Sequence, residues 1–260
     1  ARVRGSYALV VLDANRPDQL VVARNASPLV LGVGNGETFA ASDVPAIMLH
    51  TRDVIFLEDG DVATLTRGGV DLIDADRKPA NRAPKRILWD PISAEKQGYR
   101  HFMLKEIHEQ PARIVDTLRG RVNPDAHTVE LSEVKLDAAW LADIDRVVIL
   151  ACGTSWHAGL VGKYAIEAIA RVPVEVDLAS EFRYRSPVIT NRTLAIAISQ
   201  SGETADTLAA IREAQRLGAK SVAVCNVMES TIARECQNVI YTQAGPEIGV
   251  ASTKAFTTQL

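Results

Sequence analysis

Two short stretches of the chain place hydroxyl groups and a glycine directly after an apolar run. Cys152-Gly153-Thr154-Ser155 follows "RVVILA", and Ser199-Gln200-Ser201-Gly202-Glu203-Thr204 follows "TLAIAI". Ser and Thr hydroxyls donate hydrogen bonds to anionic oxygens, and a glycine lets main-chain N–H groups approach closely. Where such a stretch opens a helix, the unpaired N–H groups of the first turn and the positive end of the helix dipole face the same point. The chemistry on offer is the holding of a phosphate. Plain helix capping explains either stretch alone, since Ser and Thr are preferred at caps, but two such loops in one sheet favour the phosphate.

Missing groups narrow the ligand. There is no Gly-x4-Gly-Lys-Ser/Thr loop, neither cluster holds Lys or Arg, and no arrangement of carboxylates suited to Mg²⁺ stands nearby, which argues against a nucleoside triphosphate. "GVGNGE", residues 32–37, has the look of a dinucleotide fingerprint, but it lies between antiparallel runs and reads as a turn. A phosphate monoester such as a sugar phosphate fits, with the charge of Glu203 as a mild argument against. No metal and no cofactor are expected. His101 and His108 are two helical turns apart and read as surface residues, and Cys152, Cys225 and Cys236 form no CxxC pair.

The elements that must position these loops follow from the apolar pattern. From Asp145 onward, "RVVILA", "VEVDL", "TLAIAIS", "SVAVCN" and "NVIYTQ" are nearly continuous apolar runs. Helical segments at 156–171, 180–184, 204–217 and 230–236 separate them. Strands buried on both faces and alternating with helices predict an α/β doubly wound parallel sheet of flavodoxin type. Ahead of it, "YRHFMLKEIHEQPARIVDTLRG" predicts two helices divided by Pro111 and ended at Gly120, with apolar positions at Phe102, Leu104, Ile107, Ile114, Val115 and Leu118. Residues 5–73 read as antiparallel sheet in an α+β arrangement, with a short helix at Ser42 to Leu49 and a hairpin turn at Asp59-Gly60. Residues 76–98, with Pro91 among them, read as an exposed connector. Five basic residues fall within 77–86 of that connector, but no aromatics are interleaved, so a solvated linker is favoured over a nucleic-acid arm.

At 260 residues, 47% hydrophobic, 23% charged and with a net charge of -3, the chain has the make-up of a globular protein and no general field for nucleic acid or a membrane. The longest apolar run, six residues from Val147 to Cys152, is far short of a membrane span. The odd number of thiols and the lack of a signal-peptide pattern suit a cytoplasmic protein. The start at Ala1 and the finish within a helical pattern suggest a piece of something longer.

"LACGTS", "SQSGETADT" and "EIGVASTKAFTTQL" (residues 247–260) resemble the first sugar isomerase (SIS) domain of the isomerising glutamine–fructose-6-phosphate aminotransferase family. "GSYALVVLD", "SPLVLGVGNGETFAASD" and "FLEDGD" resemble the later half of that family's Ntn-type glutaminase domain, and "YRHFMLKEIHEQP" its interdomain joint. The resemblance implies residues 1–75 as glutaminase, 76–136 as linker and connecting helices, and 137–260 as SIS domain. It implies transfer of the amide nitrogen of glutamine to fructose 6-phosphate, isomerisation to glucosamine 6-phosphate, and a homodimer. Carried over residue by residue, the fructose 6-phosphate site would comprise Gly153, Thr154, Ser155, Ser199, Gln200, Ser201, Thr204, Val250 and Ser252.

No catalytic residue is expected in this chain, because the family's N-terminal cysteine and the glutamate, histidine and lysine of its second SIS domain have no counterpart in it. Lys254 reads as structural or exposed rather than as the family's lysine, and Cys152 as a packed thiol. Two other readings are another SIS sugar-phosphate isomerase, which would lack the antiparallel segment, and a sugar-phosphate-sensing SIS module, which would carry a helix-turn-helix where residues 1–75 are strand-rich.

Overall fold

The computed structural model describes residues 3–88, 95–132, 134, 135 and 138–260. They fall into two compact units, Ala1–Glu95 and Lys96–Leu260. Pro91 and the 136/137 boundary lie outside the described residues.

The first unit is built from eight strands: β1 (Tyr7–Asp13), β2 (Arg16–Asn25), β3 (Val30–Val33), β4 (Thr38–Ala41), β5 (Asp53–Phe56), β6 (Val62–Thr66), β7 (Gly69–Ile73) and β8 (Lys85–Arg86). They form two antiparallel sheets, ordered β1-β2-β6-β7 and β4-β3-β5-β8. Alternation along the strands sets the layers. Val22, Ala63, Leu65 and Leu72 from one sheet meet Leu31 and Ile55 from the other in one core, while Val30, Val54 and Phe56 face the opposite way and pack on Val44, Ile47, Met48 and Ile87. The "GVGNGE" stretch is the turn between β3 and β4, closed by the Gly34 N–H donating to Glu37 C=O at 2.9 Å.

Three expectations for this unit are corrected. Asp59-Gly60 does not close a hairpin, because β5 and β6 belong to different sheets. The turn is held instead to the end of β2, where the Gly60 N–H donates to Arg24 C=O, the Arg24 N–H to Asp61 C=O, and the Asp59 carboxylate accepts the Ala26 N–H. The buried Asp61 also pairs with Arg82 at 3.2 Å. Residues 42–49 form bends and turns rather than a helix, with three-residue bonds from Ile47 N–H to Val44 C=O and from His50 N–H to Ile47 C=O, for the chain must enter β5 within a few residues. The supposed connector is partly structured: Lys85–Arg86 pairs with β5 and Ile87 is buried.

In the second unit, α1 (Phe102–Leu118) precedes a small hairpin of β9 (Val122–Asn123) and β10 (Thr128–Val129), and then α2 (Ala138–Leu141). The parallel sheet follows: β11 (Arg146–Ala151), α3 (Gly153–Ala170), β12 (Val174–Leu178), α4 (Ala179–Phe182), β13 (Thr193–Ser199), α5 (Ala205–Arg216), β14 (Lys220–Cys225), α6 (Thr231–Glu235) and β15 (Asn238–Tyr241), with α7 (Lys254–Gln259) last. Strand order is β12-β11-β13-β14-β15, all neighbours parallel. Both faces are covered. Val148, Leu150, Ala195, Ala197 and Ala223 pack under Leu208, Ile211 and Ala214 of α5, while Val147, Ile149, Ile198 and Val222 pack with Trp156 and Ile166 of α3. The doubly wound sheet read from the sequence is present.

The segment 102–118 is one helix, not two. Pro111 has no N–H for the carbonyl of Ile107 four residues back, and the Gln110 side-chain amide donates to that carbonyl at 3.0 Å, so the helix runs on. Its polarity is the reverse of the apolar pattern. Leu104, Ile107, Ile114, Val115 and Leu118 are 38–58% exposed, whereas Lys105 and Glu106 are each 2% exposed. The charged side of α1 is the one packed within this unit, because α7 and the preceding loop present partners for those charges.

Candidate functional site

β11 and β13 lie side by side, and each hands the chain to a helix at its carboxyl end: Cys152 is the N-cap of α3 and Thr204 the N-cap of α5, neither with a side-chain capping bond. In doubly wound sheets this is where ligands collect. A cavity of about 130 Å³ occupies the position. Thr154, Ser155, Ser199, Gln200, Ser201, Thr204, Val250 and Ser252 all line it; Gly153, the first residue of α3, does not. The remaining wall comes from Cys152, Ile198, Thr207, Glu247 and Gly249, which the sequence reading did not place there.

The β13–α5 loop holds its own shape. The Ser199 hydroxyl accepts the Gly202 N–H at 3.0 Å and bonds the Thr204 hydroxyl at 3.2 Å, and the Ser201 hydroxyl accepts the Glu203 N–H at 3.1 Å. Gly202 has φ +65, and a Cβ on it would lie 1.9 Å from Ser230 Oγ, so no other residue fits this corner. The objection raised by the charge of Glu203 disappears in the structure. Its carboxylate accepts the Thr231 N–H at 2.7 Å and the Thr231 hydroxyl at 2.8 Å, in the first turn of α6, and the residue is absent from the cavity wall.

Hydrogen-bond direction gives the cavity a polarity. Ser155 Oγ accepts from the Gln259 amide at 3.1 Å and Ser201 Oγ accepts from a main-chain N–H, which leaves each hydroxyl proton to donate to a ligand. On the facing wall the Ser252 hydroxyl donates to Glu247 Oε2 at 2.7 Å and its oxygen also accepts the Phe256 N–H at 3.1 Å. One side therefore offers donors suited to an oxyanion, and the other offers acceptors suited to hydroxyls. Among the described residues no Lys or Arg lines the cavity, and the one carboxylate on its wall, Glu247, is taken up by the Thr253 and Ala255 N–H groups at 2.9 and 3.2 Å at the start of α7.

The 247–253 wall is carried by buried charges. Glu106 on α1 accepts the Ile248 and Gly249 N–H groups. Lys254, 1% exposed, bonds Glu109 at 2.5 Å, and Lys105 reaches the same carboxylate at 3.3 Å. Burial lowers the Lys254 pKa from the usual lysine value, against the opposing pull of Glu109. Of the two readings offered for Lys254, structural or exposed, the structure supports the first. Cys152, expected as a packed thiol, lies half-buried on the cavity wall, with the Thr207 hydroxyl 3.9 Å from its sulfur. His101 and His108 are exposed, and among the described residues no group of three or more His, Cys, Asp or Glu side chains could hold a metal ion. No helix among them is long and apolar enough to cross a membrane.

The residues missed by sequence reading had a weak signal. Thr207 lies one turn into α5 from Thr204, and "EIG" at 247–249 pairs a carboxylate with a glycine in a segment otherwise free of charge until Lys254.

Residues 140–260 match the family model of the SIS domain. Over its whole length the chain is 54% identical to glutamine–fructose-6-phosphate aminotransferase [isomerizing] of Caldanaerobacter subterraneus subsp. tengcongensis, spanning 42% of that protein. The same named protein of Methanosarcina acetivorans is 54% identical over 99% of this chain, again with 42% of the relative spanned. Among solved structures, the C-terminal domain of glucosamine-fructose-6-phosphate aminotransferase from Francisella tularensis is 45% identical, with a TM-score of 0.59 over 64% of this chain and 46% of that one.

Proposed function

With residues 140–260 a SIS domain and the whole chain a member of the isomerising glutamine–fructose-6-phosphate aminotransferase family by its full-length similarity, we propose that the cavity at the ends of β11 and β13 binds fructose 6-phosphate. The carrying observation is the convergence of the hydroxyls of Thr154, Ser155, Ser199, Ser201 and Thr204 on two helix N-termini, with no cation needed among them. The phosphate sits on the donor wall, against the main-chain N–H groups of the first turns of α3 and α5. The sugar hydroxyls face Val250 and Ser252, whose hydroxyl and main chain offer acceptors. Gln200 lines the space between these two ends.

In this reading the chain supplies the sugar-binding loops of an enzyme that moves the amide nitrogen of glutamine to fructose 6-phosphate and isomerises the product to glucosamine 6-phosphate. Residues 1–75 then correspond to the later part of an Ntn-type glutaminase domain and 137–260 to the first SIS domain, with the segment 76–136 between them. Glutamine as second substrate and a homodimeric assembly belong to the same proposal. In this reading the role of the cavity is to bind the sugar phosphate, with the Glu247 carboxylate committed to the Ser252 hydroxyl and to the main chain at the start of α7.

Titration of the chain with fructose 6-phosphate tests the site. Ser201→Ala and Thr204→Ala each remove one donor from the phosphate side and weaken binding by about 1–2 kcal/mol, roughly tenfold. Unchanged affinity in both variants sinks the assignment.

A further inference from the structure

The sugar-phosphate site uses none of the charged side chains buried on α1, yet one of them touches its wall. We propose that Glu106 is the positioning residue of that wall: its carboxylate sets where residues 247–252 stand over the bound sugar, and so controls affinity for the sugar part of the ligand. The inference rests on the reading of the cavity as a fructose 6-phosphate site.

Three observations carry it. Glu106 is 2% exposed, and both of its oxygens point at the loop: Oε1 accepts the Ile248 N–H at 2.6 Å and the Gly249 N–H at 3.2 Å, and Oε2 accepts the Gly249 N–H at 3.1 Å. Gly249 lines the cavity and adjoins Val250, so the bonded peptide lies directly behind the wall. The glycine is fitted to the carboxylate, since a Cβ at position 249 would lie 2.5 Å from Glu106 Oε2.

The need for such a device follows from the chain. Between Tyr241 and Lys254 no helix or strand supports the loop, so its main-chain N–H groups must find partners elsewhere. A buried carboxylate with two charge-assisted bonds is a strong and directional anchor. It is tolerable at this depth because Lys105 and Lys254, both bonded to Glu109, bring positive charge to the same packed region between α1 and α7. The β13–α5 loop, in contrast, is bonded within 199–204 and to the first turn of α6, where Thr231 donates to Glu203 and the Ile232 N–H to the Gly202 carbonyl, and its bonds do not run to α1. The phosphate end and the sugar end of the cavity are therefore held by separate means. Glu106 also lies outside the segment that matches the SIS family model.

The experiment uses the full chain with Glu106→Ala, Glu106→Gln and Gly249→Ala. Affinity is measured for fructose 6-phosphate and for inorganic phosphate, and amide hydrogen exchange is followed at Ile248, Gly249 and Gly202. In Glu106→Ala, exchange at Ile248 and Gly249 rises at least tenfold with Gly202 unchanged. Fructose 6-phosphate binds at least tenfold more weakly while inorganic phosphate stays within twofold. Gly249→Ala reproduces the split with the carboxylate still in place, and Glu106→Gln, which keeps one acceptor oxygen, falls between. If Glu106→Ala does not fold, the other two variants decide. Fructose 6-phosphate affinity within twofold of the unsubstituted chain, or equal loss of both ligands in a folded variant, overturns the inference alone. An unsubstituted chain that binds neither ligand overturns the proposed function and this inference with it.

Discussion

The two walls of the cavity reach similar precision by opposite routes. The β13–α5 loop is held by nearby partners, with bonds among Ser199, Ser201, Gly202, Glu203 and Thr204 and a tie to the first turn of α6 about thirty residues on. The 247–253 segment is gathered at its ends by Glu247, which accepts from Ser252 and Thr253, and its middle is suspended from Glu106, on a helix more than a hundred residues earlier. The β13–α5 loop depends on its own residues and on α6, and not on α1. A suspended wall inherits the fate of whatever holds it, so substitutions on α1 that never touch the ligand reach the site.

The largest expected effect comes from breaking the suspension at its most buried point. Glu109→Ala removes the carboxylate that Lys105 and Lys254 share and leaves two deeply buried ammonium groups without it. Loss of one partner from a buried pair costs about 3–5 kcal/mol, and denaturant unfolding reads it directly. A loss under about 1 kcal/mol would mean that the charges around α1 are not what holds it to α7.

Next in size is Gly202→Ala in the β13–α5 loop. The left-handed conformation and the overlap with Ser230 together cost about 2–4 kcal/mol. Adding Ser230→Gly relieves the overlap but not the backbone strain, so thermal denaturation of the double variant recovers about half of the loss. Full recovery would show that the turn does not need a glycine for its backbone.

The smallest effect separates the walls by the sign of their pH response. Cys225, next to the Gly202 corner, and Cys236 are pushed by burial from 9.0 to about 12. Folded thiols stay protonated where unfolded ones ionise, so their contribution is complete below about pH 8.5 and is lost as pH rises toward 12, by about 1 kcal/mol per thiol at pH 10. Lys254 acts in the opposite sense. Its folded pKa is lowered from 10.5, the unfolded chain holds the proton more tightly, and its contribution to stability rises with pH until the ordinary lysine value is passed. Urea midpoints across the alkaline range should fall less steeply in the Cys225→Ala/Cys236→Ala variant and more steeply in Lys254→Met. Identical slopes in all three proteins would contradict the assignment.

The same contrast decides what could be read from sequence. The parallel sheet was legible because continuous apolar strands and helix starts are local signals, and the hydroxyl-lined wall because its hydroxyls are adjacent in sequence. Val250 and Ser252 were reached only through the family resemblance, and Glu106, Glu247 and Thr207 were not reached at all, since a carboxylate that serves a distant main chain looks like any helix or loop glutamate until the two are brought together. Errors elsewhere share that cause. The Asp59-Gly60 turn was recognised, but the partner of the strand after it depended on the buried Asp61 and on β2. In α1 the apolar stripe was real, yet the face packed within its unit was the one carrying Lys105 and Glu106. Pro111 was read as a break because the rescue by Gln110 involves a side chain, which composition does not reveal.

The 142-residue separation between Glu106 and Ile248 also has a consequence in time. At a synthesis rate of 5–20 residues per second, roughly 7–30 s pass between the emergence of the carboxylate and that of the amides it accepts. Through that interval Glu106, Lys105 and Glu109 remain hydrated on a nascent helix, and burying them ahead of their partners would be costly. The β13–α5 loop and the α6 residues that complete it lie within 199–232 and have all emerged before Ile248. The order of emergence therefore favours assembly of the β13–α5 wall, proposed above to hold phosphate, before that of the 247–253 wall.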